Sequence, residues 1–491
     1  MGIGKKIKSL FVAHSADLLC YAPLNNMLID QQGNVRICCH NSNDFTIGKF
    51  PEQSIHDIWF GEVRQNMVAE MRAGRIPAPC VECVKNGICN QSPDSKISSS
   101  KTYGRGSSES YPQQIELLLD NECNLSCIMC ASNKSSTLTV PGFIESPITF
   151  GEDFLKQMQP FFDKVRFTVF SGGEPFLIPV YRDIWDYLYI NNPSAGIYVQ
   201  TNGTVLNTAV KALLNDYSFQ LGISVDALTP EIYERIRIRG KFDVMFENLK
   251  YFQQYSATQG NHMTLMMTPM TLNAAEVPKL LEYCNAHELV LSLSILNWPY
   301  PLAIWALPAE QIHALLQFYQ SLLKSTESAS PLTERNNKVF VHFVRLIEEY
   351  YHVRRFAERN KKQLQEQLIQ QAKVQKNAFL KQLAETSFED DSMKKSFSEW
   401  MIHYVDEIQC IFKGKLICEE FVYYLFRGKE LGYFLNLYKK ETPGNLLTMG
   451  RKRLEELLFL ASHDCFERLG VEVPVESLSG VIQKQDVTSG N

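Results

Sequence analysis

Asp120-Asn121-Glu122-Cys123-Asn124-Leu125-Ser126-Cys127-Ile128-Met129-Cys130 decides how this chain reads. Its cysteines are spaced C-x3-C-x2-C, directly after an apolar run, Ile115 to Leu119, that predicts a buried strand. A short loop with this spacing turns three thiolates toward one region, and thiolates are the ligands of iron–sulfur clusters. A four-iron cluster normally takes four cysteines. Three leave one iron open to a non-protein ligand. The plain alternative is three reduced thiols buried in a core, where free cysteine sits readily.

Outward from that loop, the segment from Ile115 to about Pro299 alternates β-rich runs with helical stretches. Strands are expected at 115–120, 165–170, 196–201, 219–226, 262–268 and 289–296, and helices at 151–163, 178–191, 205–215, 229–236, 243–257 and 275–287. This rhythm implies parallel βα units, and six of them suffice for an α/β fold with a partial (β/α)6, TIM-like barrel. Active residues then gather at the carboxyl ends of the strands. The cysteine loop lies on that edge after the first strand. Phe170-Ser171-Gly172-Gly173-Glu174-Pro175 follows the second, Gln200-Thr201-Asn202-Gly203 the third, and Ser224 and Asp226 close the fourth, with Arg235, Arg237 and Arg239 beyond. Glycines at such an edge permit close approach to backbone. Each segment also has an ordinary reading, as a tight turn, a helix start or a solvated helix face.

Residues 14–90 form a cysteine-rich module. Met27-Leu28-Ile29-Asp30 and Val35-Arg36-Ile37-Cys38-Cys39 predict a β-hairpin turning at Gly33. An amphipathic helix follows, capped by Ser54, with Ile55, Ile58, Trp59, Val63, Met67 and Met71 on one face and Gly74 as its stop. Cys80, Cys83 and Cys89 come after it. With Cys20 and Cys38 they offer a second cluster or, from the same residues, a structural zinc site. The expected divisions are a 1–90 auxiliary module, a 91–112 linker, a 113–300 core and a mostly helical 301–491 region. Within the last, helices are expected at 309–325 and from Val339 to about Glu385, Cys410 and Cys418 flank a small hairpin, and a frayed tail begins at Ser477.

At 491 residues and a formal charge of -5, the chain suits two or three domains and shows no basic excess pointing to nucleic acid. Thirteen cysteines, an odd and clustered count, read as metal sites rather than a secreted disulfide scaffold. The apolar stretch after Met1-Gly2-Ile3-Gly4-Lys5-Lys6 is broken by His14, Ser15 and Asp17, so no signal peptide is expected. No apolar run reaches membrane-spanning length. A cytoplasmic location without membrane attachment is the expectation.

Cys123-x3-Cys127-x2-Cys130 on the first βα loop, with Gly172-Gly173-Glu174-Pro175 after the second strand, resembles the radical S-adenosylmethionine (SAM) superfamily over roughly residues 113–300. The resemblance implies that Cys123, Cys127 and Cys130 bind a [4Fe-4S] cluster whose open iron takes the amino and carboxylate groups of SAM. It implies that backbone groups of Gly172, Gly173 and Glu174 hold the amino group, that Pro175 and Asn202 belong to the SAM site, that Ser224 and Asp226 lie near its ribose and methionine portions, and that Arg237 contacts its carboxylate. Reductive cleavage would give a 5′-deoxyadenosyl radical that abstracts hydrogen from substrate, with flavodoxin or ferredoxin as electron donor. Cys20-x12-Gly33-x4-Cys38 and Cys80-x2-Cys83-x5-Cys89 resemble the SPASM or shorter twitch pattern, here preceding the core. This implies one auxiliary [4Fe-4S] cluster on Cys20, Cys38, Cys80 and Cys83, with Cys39 and Cys89 in reserve. Position 93, where the full pattern would continue with a cysteine, is Pro. Such modules often accompany modification of a peptide or protein side chain. Oxidation or epimerisation of a carbohydrate or other small molecule is the second expectation, and a non-catalytic iron–sulfur electron-transfer protein the third.

Overall fold

The structure is a computed structural model and describes residues 20–39, 45–81, 110–130, 135–138, 147–296, 302–323, 330–359 and 395. The expectations for Cys83, Cys89, most of the 91–112 linker and nearly everything beyond 359 lie outside those residues.

Two compact units divide the chain. The first takes in residues 1–267, 279–293 and 328–339. Its frame is a nine-stranded sheet in the order β3-β2-β1-β4-β5-β6-β7-β8-β9. β1 (Asn26–Asp30), β2 (Asn34–Arg36) and β3 (Gly48–Lys49) are antiparallel neighbours. β4 (Gln114–Leu118), β5 (Phe167–Phe170), β6 (Gly196–Thr201), β7 (Phe219–Ser224), β8 (Thr264–Met267) and β9 (Val290–Leu293) run parallel to one another. These six are the strands expected from the β/α rhythm, each within a few residues of its expected limits, and they form the parallel core of an α/β fold.

The N-terminal hairpin is not a detached module. β1 pairs in parallel with β4, Leu28 opposite Glu116, so the cysteine-rich segment and the barrel strands share one sheet. Asn26 reinforces the seam, donating through Nδ2 to Glu116 Oε1 at 3.1 Å and to the Ile37 carbonyl at 2.9 Å.

Helices alternate with the parallel strands. α1 (Ala22–Asn25), α2 (Ile55–Phe60) and α3 (Glu62–Arg72) belong to the N-terminal segment. α4 (Glu152–Phe162), α5 (Pro179–Asn191), α6 (Thr208–Asp216), α7 (Pro230–Ile236), α8 (Phe242–Thr258) and α9 (Glu276–Ala286) connect the parallel strands. Phe154, Met158, Phe161 and Phe162 of α4 and Tyr181, Ile184, Trp185 and Leu188 of α5 recur at helical spacing and are buried. Phe170, Tyr181, Trp185 and Phe219 meet edge to face, ring centroids 5.0–5.5 Å apart along the chain of contacts.

One helix expected from the sequence is two. Ser54 does cap the first, its Oγ accepting from Asp57 N at 3.0 Å. The chain then breaks at Gly61, whose φ and ψ of -73° and 166° are extended. The break rotates the second helix, so Val63 faces solvent while Arg64, Met67, Val68 and Met71 are buried. A period read straight through the glycine puts Val63 on the wrong face.

Arg64 shows what that rotation does. Its guanidinium is buried, lies 3.8 Å from the centre of the Trp59 ring, and donates to the carbonyls of Pro23 and Trp59, both at 2.8 Å. Burial pushes its pKa down to about 10, which still leaves it charged at pH 7. Arg64→Ala strands both carbonyls and opens a cavity. It should destabilise the chain by about 3–5 kcal/mol, read as a lower urea midpoint.

The second compact unit takes in residues 268–278, 294–327 and 340–491. In it α10 (Ala309–Ser321) buries Ile312, Leu315, Leu316 and Tyr319. Tyr319 donates to the Ala274 carbonyl at 2.7 Å and packs on Phe340 and Phe343. These two phenylalanines lie on α11 (Pro331–Arg359), which starts ahead of the helix expected from Val339; the expectation for 360–385 lies outside the described residues. No helix among the described residues is long and apolar enough to cross a membrane.

Candidate active site

Because β4 to β7 are parallel, the segments leaving them emerge on one edge. The cysteine loop is tied there from three sides. Toward β5, Gly173 N donates to the Asp120 carbonyl at 3.1 Å and Glu174 N to that of Glu122 at 2.7 Å. The contact is closer than any other residue allows: a Cβ on Gly173 would stand 2.0 Å from Glu122 O, and one on Gly172 2.5 Å from Asp120 O. Gly172 also has φ of 126°, outside the range open to L side chains. The two glycines therefore serve the chain first. They let one strand end close upon the next.

Toward β6, the Glu174 carboxylate is fully buried and takes hydrogen bonds from Thr201 Oγ1 at 2.7 Å, Asn202 N at 2.8 Å and Phe176 N at 3.3 Å. Burial raises its pKa to about 7, with the three donors opposing. Pro175 follows as the first residue of a 3-10 turn, Pro175–Leu177, where a missing N–H is harmless. Asn202 reaches back over the cysteine loop, donating through Nδ2 to Asn124 Oδ1 at 2.9 Å and lying 4.0 Å from Cys123 Sγ.

On the third side, beyond β7, Ser126 N and Ile128 N donate to the carbonyls of Ile238 and Ile236, both at 3.0 Å. Cys127 is thus held between two backbone bonds. Arg237, the residue between those carbonyls, places Nη1 4.0 Å from Cys127 Sγ. Its Nε and Nη2 are engaged by Asp226 Oδ2 at 2.9 and 2.6 Å. Asp226 is 1% exposed, Arg237 7%, and Asp226 has φ of 61°. Burial works against the Arg237 charge, yet Asp226 overrides it and holds the pKa above its usual value. Ser224 ends β7 on the face it shares with Gly222. The Tyr198 hydroxyl lies over that glycine, 1.9 Å from where a Cβ would be.

Two fastenings had escaped the sequence reading. Ser135 Oγ and Thr137 Oγ1 both donate to the Leu125 carbonyl, at 2.9 and 2.6 Å, and Cys123 N donates to Ser136 Oγ at 3.1 Å. The run Ser132-Asn133-Lys134-Ser135-Ser136-Thr137 reads only as polar loop, although a string of hydroxyls just after a metal loop is a usable signal. Tyr181, buried on α5, accepts from Leu119 N at 3.0 Å and lies 2.6 Å from the Ser171 carbonyl, joining the ends of β4 and β5.

Cys123, Cys127 and Cys130 are all half-exposed on this edge. Burial raises the Cys123 and Cys127 thiol pKa values, with Leu125 N–H opposing at the first and Arg237 at the second. Among the described residues, no three Cys, His, Asp or Glu side chains converge as the ligands of a single metal ion do. The thiolates of a four-iron cluster bind separate iron atoms. Three thiols on one short loop, with nitrogen donors aimed at two of the sulfurs, fit that group. Of the expected auxiliary ligands, Cys20 is buried, with Ala22 N 3.4 Å from its sulfur, and Cys38 and Cys80 are half-exposed in the same compact unit. Cys39 is exposed, Cys83 lies outside the described residues, and Cys284 is a buried core thiol whose pKa burial pushes to about 12.

Two segments of the chain match known families. Residues 119–284 match the radical SAM superfamily, and residues 20–84 match an iron–sulfur cluster-binding domain, SPASM. The probable GTP 3',8-cyclase of Methanocella arvoryzae is 26% identical over 199 residues, covering 39% of this chain and 57% of that protein. The cysteine-type anaerobic sulfatase-maturating enzyme of Clostridium novyi is 26% identical over 145 residues, 28% of this chain and 38% of that protein. Among solved structures, Streptococcus suis SuiB bound to precursor peptide SuiA aligns with a TM-score of 0.33 at 14% identity, covering 53% of this chain and 59% of that one. The chain spans little more than half the length of the cyclases it matches.

Proposed function

From a chain that carries a radical SAM domain at residues 119–284 and a SPASM iron–sulfur domain at residues 20–84, we propose a radical SAM enzyme that modifies a peptide or protein side chain. The observation that carries the proposal is the cysteine loop held against three neighbouring strand ends, by Gly172–Gly173, by Glu174 with Asn202, and by Asp226 with Arg237. Cys123, Cys127 and Cys130 would hold a [4Fe-4S] cluster. When loaded, that cluster would supply one-electron reductive cleavage of bound SAM to methionine and a 5′-deoxyadenosyl radical able to abstract hydrogen from substrate. The protein's part is to position and to exclude water. Gly172 to Pro175 form the wall beside the cluster loop. Asn202, Ser224 and Asp226 line the neighbouring strand ends, where the amino-acid and ribose portions of SAM would lie. Cys20, Cys38, Cys80 and Cys83 would hold one auxiliary cluster, serving electron transfer or substrate anchoring.

The peptide substrate is supported by the SPASM segment and by the likeness to a sulfatase-maturating enzyme. The likeness to GTP 3',8-cyclases favours a second reading, a small-molecule substrate. Anaerobically reconstituted protein, given SAM and a one-electron reductant, should release 5′-deoxyadenosine and methionine. The Cys123→Ala/Cys127→Ala/Cys130→Ala variant should release none, while keeping the iron of the auxiliary site. Full iron and sulfide with no 5′-deoxyadenosine would end the enzyme reading. Deuterium passing into 5′-deoxyadenosine from a deuterated peptide encoded beside the gene would support the peptide substrate; GTP-dependent turnover would replace it with the small-molecule one.

A further inference from the structure

Arg237 is committed before any ligand arrives. Two of its three guanidinium nitrogens, Nε and Nη2, are bound to Asp226 Oδ2. The third, Nη1, is directed at Cys127 Sγ from 4.0 Å. The orientation is enforced from two directions. Asp226 is buried and fixes the fork, and the backbone bonds from Ser126 and Ile128 to Ile238 and Ile236 fix the cysteine loop on either side of Arg237. A planar, permanently charged fork suits this geometry, with one edge on the carboxylate and one N–H on the sulfur.

Resting on the radical SAM reading above, we propose that Arg237 is a positioning residue of the cluster rather than a ligand of the SAM carboxylate. Anchored by Asp226, it donates from Nη1 to the Cys127 thiolate and raises the potential at which the cluster accepts an electron. The step it acts on is uptake of one electron from an external one-electron donor, which adds negative charge without breaking a bond. A fixed cation hydrogen-bonded to a ligating sulfur favours the more negative, reduced state. The same N–H also holds Cys127 in place while its neighbours are filled.

The test is a mediated redox titration of the reconstituted full chain without SAM, followed by paramagnetic resonance, with dithionite as reductant. The relevant signal is identified by its loss in the Cys123→Ala/Cys127→Ala/Cys130→Ala variant. In Arg237→Gln the potential should fall by about 59 mV, the one-electron equivalent of a tenfold change in the reduction constant. Arg237→Lys should show part of that fall, since an ammonium keeps the charge but not the fork. Iron and sulfide contents and SAM binding are measured on the same samples. Unchanged SAM-free potentials in both variants, with SAM affinity lost, would overturn the proposal and assign Arg237 to the SAM carboxylate. If Arg237→Gln takes up no iron, the Arg237→Lys potential against wild type decides in the same way. Absence of the three-cysteine cluster from the wild-type chain would instead defeat the reading on which the proposal rests.

Discussion

Gly173→Ala is expected to strip the chain of most of its capacity to assemble iron on Cys123, Cys127 and Cys130. The added methyl would sit 2.0 Å from Glu122 O, 2.5 Å from Glu122 C and 2.6 Å from Asn121 C. All three are backbone atoms, so no side-chain rotation relieves the clash. The loop must lift off the end of β5, breaking the bonds from Gly173 N to Asp120 O and from Glu174 N to Glu122 O. Overpacking of this kind costs about 3 kcal/mol, which corresponds to a roughly hundredfold loss of the closed loop. The measurement is iron and sulfide per chain after anaerobic reconstitution, with circular dichroism to show that the sheet survives. Gly74→Ala is the control. Gly74 also has a left-handed φ, of 70°, but a Cβ there meets nothing within 4 Å, so iron uptake should match wild type. Equal iron in Gly173→Ala and wild type would mean that the two strand ends need not touch.

The second large effect is on stability against pH and belongs to Glu174. Its carboxyl has a folded pKa of about 7 against an ordinary value of 4.5. Between those values the folded chain holds a proton that the unfolded chain has released, so stability falls as pH rises. Below 4.5 both states are protonated and above about 7 both are ionised, and in those ranges this group adds no slope. Across the window the loss is about 3 kcal/mol. Glu174→Gln cannot titrate. It also turns an NH2 or leaves a weaker acceptor toward the donors of Thr201 and Asn202, a fixed cost of about 1–3 kcal/mol. Urea unfolding of the metal-free protein between pH 4.5 and pH 8 should therefore show wild type losing its advantage over Glu174→Gln as pH rises. A pH-independent difference would mean that the carboxyl is not held in a water-free site.

Both effects depend on contacts between strand ends, and this is where reading the chain as a string reached its limit. The parallel strands and their helices were legible because each carries its own periodicity, as in Phe154, Met158, Phe161 and Phe162 along α4. The cysteine spacing and Gly-Gly-Glu-Pro were legible because each is a local run of residues whose chemistry is fixed by type. The pairing of β1 with β4 was not. It joins Leu28 to Glu116 across almost ninety residues, and nothing in either strand names its neighbour. The kink at Gly61 was missed for the opposite reason: an apolar pattern can be traced through a break, yet the phase changes there by enough to bury Arg64 and expose Val63.

By itself, then, the amino-acid sequence determined the chemistry on offer: three thiols on a short loop after a strand, a glycine pair after the next, and acid and arginine beyond the fourth. It determined too that these lie on one edge, since parallel βα units put every strand end on the same side. Only the tertiary structure decided who touches whom. Gly172 and Gly173 are spent on the backbone of the cysteine loop, and Glu174 on Thr201 and Asn202. Arg237 is divided between Asp226 and Cys127. The physical reason is that hydrogen bonds and steric contacts act over a few ångströms in space, whereas periodicity and motif report only a residue's neighbours along the chain.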